Sequence, residues 1–199
     1  MSTRPDAELV EAWGAGEREA GAELVRRHAA RLHRFFRYRA GDRADDLVQA
    51  TLLECVRSRG RLRDAAAFRS FLFGIAYNVL RADARRGLRD GAPQPMRSAV
   101  PAPGPSPSGA VAERHDRAQL AHALRLLPME LQVALQLHYW EELTAAEISE
   151  VLGWPLGTVK TRLRRAHRDL GETLRSTPAG ASIDLERTLR SWLDDVGDA

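Results

Sequence analysis

The stretch TAAEISEVLGWPLGTVKTRLRRAHRDL, residues 144–170, decides how this chain folds. It opens with a predicted capping box, in which Thr144 caps the amide of Glu147 and the glutamate returns the contact. The apolar face of the short helix that follows consists of Ile148, Val151 and Leu152. Gly153 ends this helix, because glycine adopts a left-handed backbone at little cost, and Pro155 presets the start of a second helix.

The second helix has one apolar face and one basic face. Val159, Leu163, Ala166 and Leu170 recur at i, i+4, i+7 and i+11 and must face a core. The outer face then carries Thr158, Lys160, Thr161, Arg162, Arg164, Arg165 and Arg168. This layout is typical of a helix-turn-helix, whose second helix lies in the major groove of DNA. The alternative is a solvated helical hairpin, but the coincidence of cap, glycine, proline and basic face favours DNA binding.

Upstream of this motif, residues 88–116 are rich in proline, glycine, serine and alanine. Such a segment buries too little apolar surface to offset the entropy lost on ordering, so we expect a flexible linker spanning roughly 30 Å. The predicted organisation is an N-terminal domain at 1–87, the linker at 88–116, a helix-turn-helix domain at 117–175 and a tail at 176–199. The C-terminal domain is expected to begin with a helix over about 113–127 and another opened by Pro128.

The N-terminal domain is predicted to contain four helices, and no segment shows strand alternation, so the fold class is all-α. The first helix ends at Gly14 and Gly16, the second spans about 17–39 and is closed by Gly41, the third spans about 44–58, and the fourth runs from near Asp64 to Gly87. The predicted buried residues are Leu9, Val10 and Trp13 on the first helix, Ala22, Val25, His28, Leu32, Phe35 and Phe36 on the second, Leu47, Val48, Thr51, Leu52, Cys55 and Val56 on the third, and Phe68, Phe71, Leu72, Ile75 and Val79 on the fourth.

The composition of the chain limits the classes of function that it can have. The 199 residues carry a net charge of +3, and every basic residue except Lys160 and the histidines is an arginine, which forms forked contacts with phosphate and guanine. A G+C-rich genome would produce the same bias. The single cysteine, Cys55, excludes an intrachain disulfide and a cysteine metal cluster. With no apolar run long enough to span a membrane and no secretory signal, we expect a cytoplasmic protein without a membrane span.

Two separate sets of motifs resemble the extracytoplasmic-function (ECF, group 4) sigma factors of the sigma-70 family. Residues 126–170, with LTAAEI at 143–148 and GTVKTRLRRA at 157–166, resemble region 4. DDLVQ at 45–49 resembles region 2.2, and FRSFLFGIAYN at 68–78, followed by Arg85-Arg86, resembles regions 2.3 and 2.4. The motifs occur in the family's order over about residues 20–175. The resemblance implies an RNA polymerase sigma factor that directs promoter-specific transcription initiation.

The family implies a division of labour between the domains. Region 2 would bind the β′ clamp helices of core RNA polymerase and read the −10 element, and region 4 would bind the β flap and read the −35 element. The implied core-binding residues are Asp46, Gln49, Ala50 and Leu53. The implied −10 residues are Arg69, Tyr77, Asn78, Arg81, Arg85 and Arg86, with the loop at 59–67 holding a flipped-out base. At the −35 element, Lys160, Thr161, Arg164 and Arg165 would contact bases, Arg162 and Arg168 would contact phosphates, and Thr158 shares their face.

The tail lies outside this resemblance. Ser182 is predicted to cap a helix with Leu185, Leu189, Trp192, Leu193 and Val196 on one face. One interpretation is a helix packed on region 4; the other is an acidic regulatory tail that covers the basic helix. An anti-sigma factor is a further partner that the resemblance allows.

Rival functions differ in what they require of the N-terminal domain. The main alternative is a helix-turn-helix transcriptional regulator that acts on duplex DNA without core polymerase, but such a regulator has no need of the DDLVQ and FRSFL helices. A second rival is a protein-binding adaptor whose basic faces are merely solvated. The sequence shows no phosphate loop, serine elbow, converging carboxylate pair or paired metal spacing among its histidines. We therefore expect no enzymatic activity, no cofactor and no metal.

Overall fold

The computed structural model describes residues 4–89, 119–120, 122–176, 185–186 and 189. Every regular element in these ranges is helical, which confirms the predicted all-α fold class. The described chain forms two compact units, one N-terminal and one C-terminal. None of the helices in the described ranges is long and apolar enough to cross a membrane. Residues 90–118, which hold most of the predicted linker, lie outside the described residues.

The N-terminal unit consists of four helices joined by short turns. They are α1 (Asp6–Gly14), α2 (Arg18–Ala40), α3 (Ala44–Ser58) and α4 (Phe68–Arg89), with 3-10 turns at Gly41–Arg43, Arg59–Arg61 and Ala65–Ala67. The predicted bounds of α3 are confirmed, and those of α2 are correct to within one residue. Gly41 closes α2 at φ 55°, a left-handed value that suits glycine.

Both predicted ends of α4 are wrong. Asp64 does cap a turn, because its carboxylate accepts a hydrogen bond from the amide of Ala66 at 2.9 Å, but that turn is the short 3-10 segment that precedes the helix. The α-helix itself begins at Phe68, and it passes through Gly87 to end at Arg89.

Aromatic rings of α2 and α4 form the centre of the N-terminal core. Phe35, Phe36 and Phe73 are fully buried. The Phe35 ring meets Phe36 edge-on at 5.1 Å and Phe73 at 5.5 Å, arrangements worth about 0.5–1.5 kcal/mol each beyond the area they bury. In the 3-10 turn that follows α2, Arg43 makes two hydrogen bonds to Asp83 of α4, at 2.6 and 2.7 Å. These contacts hold α4 in one rotation about its axis.

That rotation corrects the predicted buried face of α4. The side chains it buries are Phe68, Leu72, Phe73, Ala76, Tyr77 and Leu80. Of the predicted set, Phe71, Ile75 and Val79 are only half-buried. The helix is apolar on two adjacent stripes, and the ring contact between Phe73 and Phe35 decides which of them enters the core.

On α1, α2 and α3 the buried residues differ less from the predicted apolar faces. On α2 the four residues His28, Leu32, Phe35 and Phe36 are buried as predicted, whereas Ala22 and Val25 are half-buried and Gly21 and Leu24 take their places in the core. On α3 Leu47, Thr51 and Cys55 are buried, Val48 and Leu52 are half-buried, and Val56 is 45% exposed. Burial raises the pKa of the Cys55 thiol to about 11, so it stays protonated at neutral pH. On α1 only Leu9 is fully buried; Val10 and Trp13 are half-buried.

The C-terminal unit is built around the predicted helix-turn-helix. Residues 119–120 and 122–126 are helical, followed by α5 (Met129–Tyr139), α6 (Ala145–Leu152) and α7 (Leu156–Arg175). Pro128 and Pro155 sit immediately before α5 and α7, as expected of residues that preset a helix start. Val159, Ala166 and Leu170 of α7 are buried, and Leu163 is half-buried.

Part of the tail is described and lies within the C-terminal unit. Leu185 and Glu186 are helical, and Leu189 is fully buried. The indole N–H of Trp140, just after α5, donates a hydrogen bond to the Leu189 carbonyl at 2.6 Å. This contact supports the interpretation of a helix packed on the domain. The predicted cap at Ser182 and the residues Trp192, Leu193 and Val196 lie outside the described residues.

Candidate nucleic-acid interface

The turn that presents α7 is held by side-chain hydrogen bonds. The amide of Thr144 donates to the Glu147 carboxylate at 2.8 Å, and the amide of Glu147 donates to the Thr144 hydroxyl at 3.3 Å, which confirms the capping box. Gly153 has φ 67° and ends α6 in the left-handed region, as predicted. The Ser149 hydroxyl donates to the carbonyl of Trp154 across this turn. The angle at which α7 leaves the turn is therefore set by local bonds within a few residues.

The outer face of α7 is exposed and basic, as the spacing predicts. Its exposed members are Lys160, Thr161, Arg162, Arg164, Arg165 and Arg168, and Thr158 is half-buried. Because α7 buries its apolar stripe along most of its length, the basic face points away from the core of the domain. A helix of this kind can enter the major groove and place several donors against base edges and phosphates.

The cations on this face differ in what they contact. The Arg162 guanidinium lies over the Trp154 ring at 4.1 Å. Arg165 and Arg168 both approach Asp169, at 3.4 and 3.8 Å. The sequence reasoning missed this acid, although its position four residues after Arg165 is the spacing at which helical side chains meet.

Lys160 and Arg164 stand apart from these three arginines. Neither has an ion-pair or hydrogen-bond partner among the residues that the structure describes. The Thr161 hydroxyl, by contrast, donates to the backbone carbonyl of Gly157 at 2.9 Å. Lys160 and Arg164 therefore carry positive charge that no acidic side chain among the described residues offsets.

On α4, the candidate residues divide into an exposed group and one buried residue. Asn78, Arg81, Arg85 and Arg86 are exposed, and Arg69 is half-buried. Tyr77 is only 3% exposed, so its predicted position outside the buried face is wrong. Its ring faces the core because α4 buries the stripe that includes Phe73, four residues earlier. The Arg81 guanidinium lies 5.6 Å from the centre of the Tyr77 ring, so the buried ring contacts an exposed cation of this face.

Within the N-terminal unit, the loop at 59–67 and the outer side of α4 border one cleft. The loop contributes Arg61, Arg63 and Asp64, which are exposed, and α4 contributes Phe71, Ile75 and Asn78. The cleft thus combines cations, half-buried apolar side chains and an exposed amide. These are the groups that bind an unstacked base and its backbone.

The candidate protein-binding face lies on α3. Asp46, Gln49, Ala50 and Leu53 are all exposed and recur at helical spacing on one side. Leu53 is 58% exposed, and Val56 extends the apolar surface by one turn at 45%. Exposed leucine and valine side chains flanked by polar groups are suited to a protein interface. In the described ranges, no cluster of three or more His, Cys, Asp or Glu side chains could hold a metal ion.

Comparisons with known proteins agree with this division. Residues 24–89 match the family model of sigma-70 region 2, and residues 117–170 match that of sigma-70 region 4. The chain is 33% identical over 186 residues to the ECF RNA polymerase sigma factor SigM of Mycobacterium tuberculosis, with 90% of each chain covered. It is 34% identical over 170 residues to the RNA polymerase sigma factor CarQ of Myxococcus xanthus, covering 83% of this chain and 95% of CarQ.

Solved structures share the fold at lower sequence identity. CnrH, determined in complex with the cytosolic domain of CnrY, is 22% identical and superposes with a TM-score of 0.62 over 86% of this chain and 97% of CnrH. The sigma factor RpoE of Bartonella quintana, determined with the anti-sigma factor NepR, is also 22% identical, with a TM-score of 0.57 over 76% of this chain and 92% of RpoE. A regulator that works without polymerase is not favoured, because region 2 is matched as well as region 4. The chain belongs to the ECF RNA polymerase sigma factors of the sigma-70 family.

Proposed function

We propose that this sigma factor contacts a promoter at two places, with α7 at the −35 element and the outer side of α4 at the −10 element. The observation that carries the proposal is the exposed basic face of α7, which a capped turn presents and which pairs, among the residues that the structure describes, with the single acid Asp169. Sigma factors are transcription initiation factors and not enzymes, so the residues named below bind and position; they carry out no bond-making step. The expected place of action is the cytoplasm.

At the −35 element, the contacts on α7 suggest separate roles for its cations. Lys160 and Arg164 reach base edges, because neither is engaged within the described structure. Arg165 reads a base only after leaving Asp169, and Arg168 contacts phosphate, as the family resemblance implies. The Arg162 guanidinium lies over the Trp154 ring, and a guanidinium in this position suits a backbone phosphate. Thr161 and Thr158 border the same groove.

At the −10 element, the outer side of α4 receives the separated strand. Asn78 reaches a base edge within the cleft, and the half-buried Phe71 and Ile75 provide an apolar surface against which a base can lie. Arg81, Arg85 and Arg86 follow on the helix and bind the strand's phosphates, with Arg69 at the other end of the same helix. Tyr77 is buried, so it supports Arg81 from below instead of stacking on a base.

The exposed face of α3 is the proposed contact with core polymerase. Leu53 supplies the apolar centre of this contact, and Asp46, Gln49 and Ala50 surround it. The family resemblance implies that the β′ clamp helices lie against this face and the β flap against region 4. An anti-sigma factor is a second class of protein partner, since RpoE was determined with one.

The test of the promoter contacts is transcription by the reconstituted holoenzyme. The full chain is mixed with bacterial core polymerase and a genomic template library, and the transcript starts are sequenced to define the −35 and −10 elements. Promoter libraries randomised at the −35 element are then transcribed with Arg164→Ala and, as a matched control on the same helix, Arg168→Ala.

The two variants have different expected results. Arg164→Ala should remove selectivity at one −35 position, at a cost of about 1–3 kcal/mol for the preferred base. Arg168→Ala should weaken all sequences alike and lower the dependence of log affinity on log salt by about one. A uniform loss from both variants would contradict base reading by Arg164, and failure of the wild-type chain to bind core polymerase would overturn the proposed function as a whole.

The α3 contact is tested by binding to core polymerase alone. Leu53→Ala should weaken the complex, because it removes the exposed apolar centre of the face. Arg26→Ala, which alters an exposed residue of α2, is the control and should leave binding unchanged. Equal affinities for the two variants would move the core-binding surface away from α3.

A further inference from the structure

The first helix, α1, lies outside the region 2 match, which begins at residue 24. It packs against α2, against the 3-10 turn at Ala65–Ala67 and against α4. Its partners therefore include the last residues of the loop at 59–67, which borders the −10 cleft. No role in promoter recognition follows for α1 from the family motifs.

One end of α1 is fastened to α2 by Asp6. Its carboxylate accepts a hydrogen bond from Arg27 at 2.6 Å and contacts Nε2 of His28 at 2.7 Å. His28 is buried, and its ring meets Phe68, the first residue of α4, edge-on at 5.4 Å. Burial lowers the pKa of His28, although Asp6 opposes the shift, so the imidazole is neutral and donates its Nε2–H to the carboxylate. Asp6 thus connects α1 to α2 and, through His28, to the start of α4.

The other end of α1 is fastened by Trp13. Its indole lies directly over Gly21 of α2, where an added Cβ would come within 2.5 Å of the indole nitrogen. Leu24, Leu52 and Phe68 line the space beside the ring. A glycine at position 21 is therefore what allows the ring to approach α2 so closely.

The Trp13 ring also contacts the first residue of the loop at 59–67. The Arg59 guanidinium lies 5.7 Å from the ring centre, within the range of a cation–π interaction. Arg59 begins the 3-10 turn at Arg59–Arg61, directly after α3. Hence α1 contacts both ends of the loop, with Trp13 at Arg59 and its packed face at Ala65–Ala67.

We propose that α1 is a positioning element for promoter selectivity: Trp13 and Arg59 hold the loop at 59–67 in the conformation that selects a base of the −10 element. The inference rests on the proposed function, since it assumes that this loop takes part in −10 recognition. Trp13 is a positioning residue because it acts through Arg59 and the loop, without touching DNA. Without the Trp13 ring the loop samples other conformations, so the difference in affinity between the preferred base and the other bases becomes smaller.

The test measures base preference at the −10 element. Promoters randomised across the mapped −10 element are transcribed by holoenzyme carrying the wild-type chain, Trp13→Ala, Arg59→Ala or both changes. A cation–π contact at the protein surface sets the expected size, so each single change should reduce the preference at one −10 position by about 2- to 5-fold. The double variant should lose no more than either single variant, because both changes remove the same contact.

Controls separate positioning from general stability. Trp13→Phe keeps an aromatic face under Arg59 and should retain most of the preference. Leu32→Val loosens the buried core of α2 and should leave base preference unchanged. Selectivity at the −35 element and binding to core polymerase should be the same for every variant. Arg59→Ala alters an exposed side chain, so it keeps the test decisive even if Trp13→Ala lowers the yield of folded protein.

The possible results separate a failure of the positioning role of α1 from a failure of the proposed −10 function. Additive losses in the double variant, or unchanged preference in both single variants, overturn the positioning role of α1. Asn78→Ala serves as the reference, since Asn78 lies in the same cleft on α4. A loss of −10 preference with Asn78→Ala but not with Trp13→Ala removes only this inference. If the base preference is unchanged in Trp13→Ala, Arg59→Ala and Asn78→Ala, the proposed −10 function of region 2 is overturned as well.

Discussion

Replacing Gly21 by alanine should change the sign of its effect on stability according to what occupies position 13. In an open helix interior, glycine to alanine stabilises the fold by about 1 kcal/mol. Here the new Cβ would meet three indole atoms of Trp13, at 2.5, 2.6 and 3.0 Å. The ring cannot simply swing aside, because it is rigid, half-buried and in contact with Arg59. Overpacking of this kind costs about 1–3 kcal/mol, which cancels or exceeds the helical gain.

The measurement is a double-mutant cycle on the full chain. Urea unfolding is followed by pulsed hydrogen exchange in peptides from α2, so that the readout reports the N-terminal unit. In the wild-type background, Gly21→Ala should lower the unfolding free energy by up to about 2 kcal/mol or leave it unchanged. In the Trp13→Ala background the obstructing ring is absent, and the same change should raise the unfolding free energy by about 1 kcal/mol.

Gly74 provides the matched control for this cycle. It lies inside α4, and a Cβ added there would meet nothing within 4 Å. Gly74→Ala should therefore stabilise both backgrounds by about 1 kcal/mol. If Gly21→Ala stabilises the wild-type chain as much as Gly74→Ala does, the indole does not lie against α2, and the anchoring of α1 described above is refuted.

Three further predictions concern other contacts. Thr144→Ala removes the capping box and should cost the C-terminal unit about 1 kcal/mol of unfolding free energy in urea, whereas Thr144→Ser should cost little. The pKa of His28 is lowered by burial, and that of Asp6 is also low, because hydrogen bonds from Arg27 and His28 outweigh the opposing effect of burial. On acidification the folded chain then binds fewer protons than the unfolded chain, so the free energy of unfolding should be highest above pH 6.5 and should fall as the pH is lowered. The fall should be less steep in His28→Gln. A urea midpoint that rises as the pH is lowered from 7.5 to 5 would contradict this. Trp154→Leu removes the ring beneath Arg162 and should weaken holoenzyme binding to −35 DNA about 2- to 5-fold, with no effect in an Arg162→Ala background, as measured by fluorescence anisotropy.

Local chemistry made the helix-turn-helix predictable from the sequence. A capping box, a glycine at the helix end and a proline at the next start each act within a few residues, and the structure confirms all three. The exposed face of α7 followed from the same reasoning, since one apolar stripe leaves little choice of rotation. The bounds of α3 were predicted as well, although Val48, Leu52 and Val56 of its predicted buried face are half-buried or exposed.

Contacts between distant residues were not predictable in this way. The sequence suggests no pairing between Asp6 and His28, or between Trp13 and Arg59, because 22 and 46 residues separate the partners. The sequence alone does not show why position 21 is a glycine; the reason is the Trp13 ring that lies over it in the structure. The role of α1 therefore emerges only from the tertiary structure.

The wrong rotation predicted for α4 is itself informative about function. A helix with two apolar stripes can bury only one fully; the core takes the stripe containing Tyr77, and Phe71, Ile75 and Val79 stay half-buried beside the exposed Asn78. Leaving three large apolar residues partly in water costs stability, at about 25 cal/mol per Å² not removed from solvent. A helix face that only contacts solvent is usually polar. A face that binds a base must be apolar and must also stay accessible to the base. The half-buried apolar residues that were predicted to enter the core thus form part of the surface proposed above to bind the separated −10 strand.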